Sequence, residues 1–97
     1  MSKLSESDIE LQLKELPDWE RSGNEISRVF VFGSFMDGIS FVARVAEAAE
    51  NADHHPDIDI RYKKVLFRLS THSEGGLTDK DFALAREIDR LLPAMRK

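Results

Sequence analysis

The chain has 97 residues, 41% of them apolar, and carries 14 basic against 18 acidic side chains for a formal net charge of −4. That length supports one modest core and excludes two, so residues 1–97 are expected to form a single domain, and no stretch gathers Lys or Arg into a stripe that could track nucleic acid. The absence of cysteine excludes disulfides, thiolate metal sites and thiol catalysis together, while the polar start MSKLSESDIE and the lack of any long apolar run argue against a membrane span and for a cytoplasmic location.

The stretch SESDIELQLKEL predicts a first helix: Ser5 with Asp8 three residues later resembles a capping box, Ile9, Leu13 and Leu16 recur at helical spacing, and Pro17 marks the end. From Trp19 the pattern changes to a hairpin. WER and EISRVFVF flank the turn formers Gly23 and Asn24, and the second segment is rich in β-branched and aromatic residues. Ser34, with Asp37 three positions on, opens a second helix whose apolar stripe is Ile39, Val42, Val45, Ala46 and Ala49. This helix is expected to run to about His55, because the residue before Pro56 is biased away from helical angles.

Beyond Pro56, DIDIRY alternates Ile58, Ile60 and Tyr62 against charged residues, and VLFRLSTH places Val65, Phe67 and Leu69 on one side, predicting two further strands. SEGG supplies a flexible connection. The last helix, LTDKDFALAREIDRLL, has Thr78 as N-cap, Asp81 as the carboxylate at its third position and Leu77 with Phe82 as a hydrophobic staple; Pro93 ends or kinks it. The order is helix, strand, strand, helix, strand, strand, helix. Alternating strand faces imply an α+β fold, an antiparallel sheet with helices on one side.

All three histidines lie between positions 54 and 72, one pair at a helix end and one at a strand end, so folding could gather them. Imidazole titrates near pH 6.5, roughly, and can give or take a proton at neutrality, as acid–base catalysis requires. The bland alternative is a helix end, where His54 and His55 would serve the dipole and free carbonyls. Glu50 shifts the balance, lying four residues before His54 on the same predicted helix face, where a carboxylate could fix the ring's tautomer. Asp81 is most simply a capping group, yet the helix start just after His72 is also a good place to present a carboxylate to a ligand. Trp19 and Tyr62 read as core or sheet-face residues. A zinc site built on Glu50, His54 and His72 ranks below metal-free chemistry, because His-Glu-x-x-His is absent and adjacent histidines diverge by about 100° on a helix.

Glu50, three residues, then His54-His55-Pro56, five residues to Tyr62, nine to His72 and eight to Asp81 resemble the signature of the pterin-4a-carbinolamine dehydratases. STH followed by GGLTDKDFALA is also similar to that family. The resemblance implies a four-stranded antiparallel sheet with three helices packed on one face. It further implies dehydration of 4a-hydroxytetrahydrobiopterin to quinonoid dihydrobiopterin, which recycles the cofactor of aromatic amino acid hydroxylases, with no metal or organic cofactor needed. His54 and His72 would then be the acid–base pair, His55 would position the pterin, Glu50 would orient the histidines and Asp81 would complete the site. Ser70, Thr71 and Ser73, flanking His72, are expected to bind the ring through backbone groups. The family tends to form dimers and tetramers, so self-association is expected. Animal members that also act as dimerisation cofactors of a homeodomain transcription factor have a cysteine where this chain has Glu74, which counts against that role here. The competing reading, from a different class, is a non-catalytic binding or assembly module on the same fold.

Overall fold

The computed structural model describes residues 3–95, with side chains through Leu92. Seven main elements follow one another: α1 (Glu6–Lys14), β1 (Glu20–Ser22), β2 (Glu25–Val31), α2 (Phe35–Ala52), β3 (Asp57–Arg61), β4 (Lys64–Leu69) and α3 (Asp79–Met95). The strands form one antiparallel sheet in the order β1-β2-β4-β3, the α+β arrangement expected. Its strand alternation sorts the two faces. Ile26, Phe30, Val65, Phe67 and Leu69 are buried beneath the helices, while Val29 and Val31 on the other face are exposed.

The core closes when Phe41, Val45 and Ala49 of α2 and Phe82, Ala85 and Ile88 of α3 meet that covered face, with Ile9 of α1 and Trp19 completing it. Phe41 packs edge-on to Phe67 with ring centroids 5.9 Å apart. Trp19 is buried as expected, and its indole N–H donates to Asp89 of α3 at 2.9 Å, where Arg28 of β2 also donates at 2.7 Å. α1 is tied to the sheet by Arg21, which faces the helices beside Ile26 and grips Glu6 through two hydrogen bonds.

Four local expectations change. First, α2 ends at Ala52 instead of near His55, because Asp53 adopts left-handed angles (φ 52°) and a Schellman closure forms: Asp53 N–H donates to Glu50 C=O at 3.2 Å and His54 N–H to Ala49 C=O at 3.1 Å. Aspartate is among the few residues that tolerate this conformation. Second, β4 stops at Leu69, and His72 opens a 3₁₀ turn (His72–Glu74) that Gly75 closes at φ 73°. The SEGG segment is thus a tight turn, bridged at its base where Thr71 N–H donates to Gly76 C=O at 3.0 Å.

Third, Tyr62 is neither core nor sheet-face. It is 68% exposed and sits with φ 54° in the two-residue loop between β3 and β4. Fourth, α3 continues past Pro93 to Met95. Proline forfeits one backbone hydrogen bond, a loss more easily absorbed in a last turn than in mid-helix.

Candidate active site

The first turn of α3 sets the site. Thr78 stands just before the helix, and the Lys80 N–H donates to its hydroxyl at 3.3 Å while the Thr78 N–H donates back to Asp81 Oδ2 at 3.0 Å. This reciprocal closure is the capping arrangement that the sequence predicts, and it anchors a carboxylate in the core. Asp81 is fully buried, and its second oxygen, Oδ1, lies 2.6 Å from His54 Nε2. The His54 side chain is 11% exposed, so the pair meets in a largely dry setting where hydrogen bonds to a charged group are strong.

His54 reaches Asp81 because α2 stops early. Released from the helix by Asp53, it no longer shares a face with Glu50, and the carboxylate of Glu50 meets His55 Nε2 instead, at 2.6 Å. That second pair is open to solvent, with side chains 57% and 76% exposed. The expected Glu50–His54 pairing is therefore replaced by two separate pairs, one buried and one exposed.

Thr71 joins the buried pair. Its hydroxyl donates to Asp81 Oδ2 at 2.8 Å and lies 2.7 Å from the Thr78 hydroxyl. Its backbone is equally committed, donating to Gly76 C=O and accepting from the Glu74 and Gly76 N–H groups. The signal for this burial was present in the sequence: the inward series Val65, Phe67, Leu69 continues in step to Thr71. His72 falls on the opposite parity and is exposed, as are Ser73 and Glu74.

His72 and Ser70 border a cavity of about 250 Å³, together with Ser22, Asn24, Glu25 and Gly75 from the β1–β2 hairpin and the turn. His54 borders another of about 250 Å³ between α2 and α3, walled by Ala48, Ala52 and Ala83 and edged by Lys80 and Glu87. Hydrogen bonds from Arg90 hold the Glu87 carboxyl below the usual carboxylate range. The fold thus brings His54, Asp81 and Thr71 into one buried cluster, sets His55 with Glu50 beside it in sequence, and carries His72 on the turn that Thr71 begins, with Ser70 just before that turn. Among the described residues no group of three or more His, Asp and Glu side chains is gathered as metal ligands, Glu50, His54 and His72 included.

Comparison with known proteins identifies the relatives of this chain. A protein of Nocardia farcinica described as "Putative pterin-4-alpha-carbinolamine dehydratase" is 60% identical over 88 residues, spanning 91% of this chain and 93% of the other. One of Chloroflexus aurantiacus with the same description is 53% identical, spanning 95% and 99%. Among solved structures, a transcriptional coactivator/pterin dehydratase from Brucella melitensis superposes with a TM-score of 0.89 at 35% identity, covering 93% of this chain and 98% of that one. A pterin dehydratase-like protein identified as a RuBisCO assembly factor in the alpha-carboxysome shares the fold, with a TM-score of 0.63 at 23% identity over 75% and 84%. The family described as pterin 4 alpha carbinolamine dehydratase matches residues 2–91, and the chain belongs to it.

Proposed function

We propose that this chain dehydrates 4a-hydroxytetrahydrobiopterin to quinonoid dihydrobiopterin and water by histidine acid–base catalysis, with no metal or organic cofactor. The observation that carries the reading is the buried His54–Asp81 pair, 2.6 Å apart. Dehydration breaks the bond from ring carbon to hydroxyl, delivers a proton to the leaving oxygen and removes one from a ring nitrogen, so it needs two groups that exchange protons near neutrality. An ionised carboxylate can only accept, so while Asp81 Oδ1 is held toward the ring His54 donates through Nε2, and its Nδ1 is the nitrogen left to take a proton. His72 would be the partner group, His55 would hold the pterin with Glu50 fixing its ring, and Ser70 and Ser73 would offer contacts beside His72. Self-association into dimers or tetramers and supply of the cofactor to an aromatic amino acid hydroxylase belong to the same reading.

A second reading is a binding or assembly module. It draws on the coactivator and assembly-factor descriptions of the two structural neighbours, of which the second speaks for the fold alone. The test is stopped-flow absorbance of 4a-hydroxytetrahydropterin decay with wild-type protein, a His54→Ala variant and no enzyme, with and without chelator. Acceleration that resists chelator and disappears in the variant supports the dehydratase. No acceleration by folded wild-type protein moves the assignment to the binding module.

A further inference from the structure

Every hydrogen bond around Asp81 can be given a direction, because each hydroxyl there has one proton and an ionised carboxylate has none. The Thr71 hydroxyl must spend its proton on Asp81 Oδ2, 2.8 Å away. It can then only accept from Thr78, whose hydroxyl donates across 2.7 Å and accepts in turn from the Lys80 N–H. The Thr78 N–H supplies the second donor to Oδ2, which leaves Oδ1 to the His54 Nε2–H. Three of these protons, from the Thr71 hydroxyl, the Thr78 N–H and His54 Nε2, point at one buried carboxylate. The Thr78 hydroxyl and Lys80 N–H back them, and no buried side-chain polar atom among the described residues lacks a partner.

We propose that Thr71 is a positioning residue for the reaction: its hydroxyl, backed by Thr78, fixes the rotation of the Asp81 carboxylate and so holds His54 as the Nε2–H tautomer with Nδ1 free for proton transfer. The proposal rests on the dehydratase reading only for its effect on turnover, since the tautomer can be read without substrate. Thr71 also directly precedes His72, so one residue ties the turn carrying one histidine to the carboxylate holding the other. The dependence runs one way. A hydroxyl that donates cannot be replaced by a methyl group of the same shape without leaving Oδ2 one donor short.

The test uses the full chain with ¹⁵N-labelled histidine rings, whose tautomers are read by long-range ¹H–¹⁵N NMR. Three variants are compared with wild type: Thr71→Val, nearly isosteric but without a donor; Thr71→Ser, which keeps the hydroxyl; and Thr71→Cys, a weak donor that serves should the valine variant fail to fold. Wild type and Thr71→Ser are expected to show His54 protonated at Nε2, and Thr71→Val and Thr71→Cys to lose that signature. The kcat/KM of Thr71→Val should fall by about 10-fold to 100-fold, the rate equivalent of one charge-assisted hydrogen bond, with recovery in Thr71→Ser. An unchanged His54 tautomer in the folded valine and cysteine variants, or a serine variant that behaves like valine, overturns the proposal. A wild-type protein without turnover whose His54 signals still respond to Thr71→Val would sink the dehydratase reading and leave the positioning role standing.

Discussion

His54 Nε2 donates to the carboxylate of Asp81 at 2.6 Å, joining the loop after α2 to the first turn of α3 across 27 positions of sequence. Asp81 therefore has two tasks at once, closing the N-terminus of a helix with one oxygen and orienting an imidazole with the other. Capping keeps the carboxylate in place whether or not a ligand is present, which is what a preorganised site requires.

His54→Ala and His72→Ala should each lower turnover by about 100-fold to 10,000-fold, the usual contribution of an acid–base group. Their effects on stability should differ. Removing His54 leaves Asp81 Oδ1 buried without its donor and should cost about 1–3 kcal/mol, whereas removing exposed His72 should stay within about 0.5 kcal/mol. Stopped-flow rates and urea denaturation read the two quantities separately. Wild-type turnover in both variants would refute the assignment of this pair.

Asp81→Ala and Asp81→Asn separate capping from chemistry. Alanine removes a helix-closing acceptor worth about 1 kcal/mol and strands the Thr71 hydroxyl at a further cost of about 1–3 kcal/mol. Asparagine can keep its oxygen toward Thr71 and the Thr78 N–H, but its amide then sets a donor against the His54 N–H. Denaturation midpoints should fall much further for alanine, while both variants lose turnover. An asparagine variant with full activity would show that the carboxylate charge at His54 is dispensable.

Tyr62→Asn should raise stability by roughly 0.5 kcal/mol. Asparagine tolerates the left-handed angles at this position, relieving about 1 kcal/mol, and the substitution gives up about 0.5 kcal/mol from the Lys63 ammonium over the tyrosine ring. Little burial is lost, because the side chain lies mostly in water. A lower urea midpoint for the variant would mean that the ring makes a contribution its exposure does not reveal.

The Glu6–Arg21 pair gives a pH dependence with a defined sign. Hydrogen bonds from Arg21 hold the Glu6 carboxyl below its ordinary value, so the pair stabilises the fold above the unfolded carboxylate range, and this contribution disappears as pH falls through the lowered folded value. Glu6→Gln should therefore flatten part of the acid-side decline in low salt. In high salt, wild type and variant should converge, since the pair is solvent-exposed and screened. Identical acid-side slopes in low salt would exclude the linkage.

Much of the fold was legible because its signals are local. The alternation of Val65, Phe67 and Leu69, the helical spacing of Val45 and Ala49, and the Thr78–Asp81 cap each depend on a few residues along one element. The Tyr62–Lys63 turn was not, since tyrosine does not announce the positive φ that it adopts there.

Sequence alone determined the order of elements, the buried face of the sheet and the Thr78–Asp81 closure at the start of α3. Only the tertiary structure decided which carboxylate serves which histidine. Spacing of four along a helix assigned Glu50 to His54, but that rule holds only while the helix continues, and Asp53 ends it with left-handed angles just before His54. Freed from the helix, His54 meets a carboxylate 27 residues away and Glu50 takes His55. The partnership rests on the packing of α2 against α3 over a shared sheet, a long-range relationship that no local periodicity encodes.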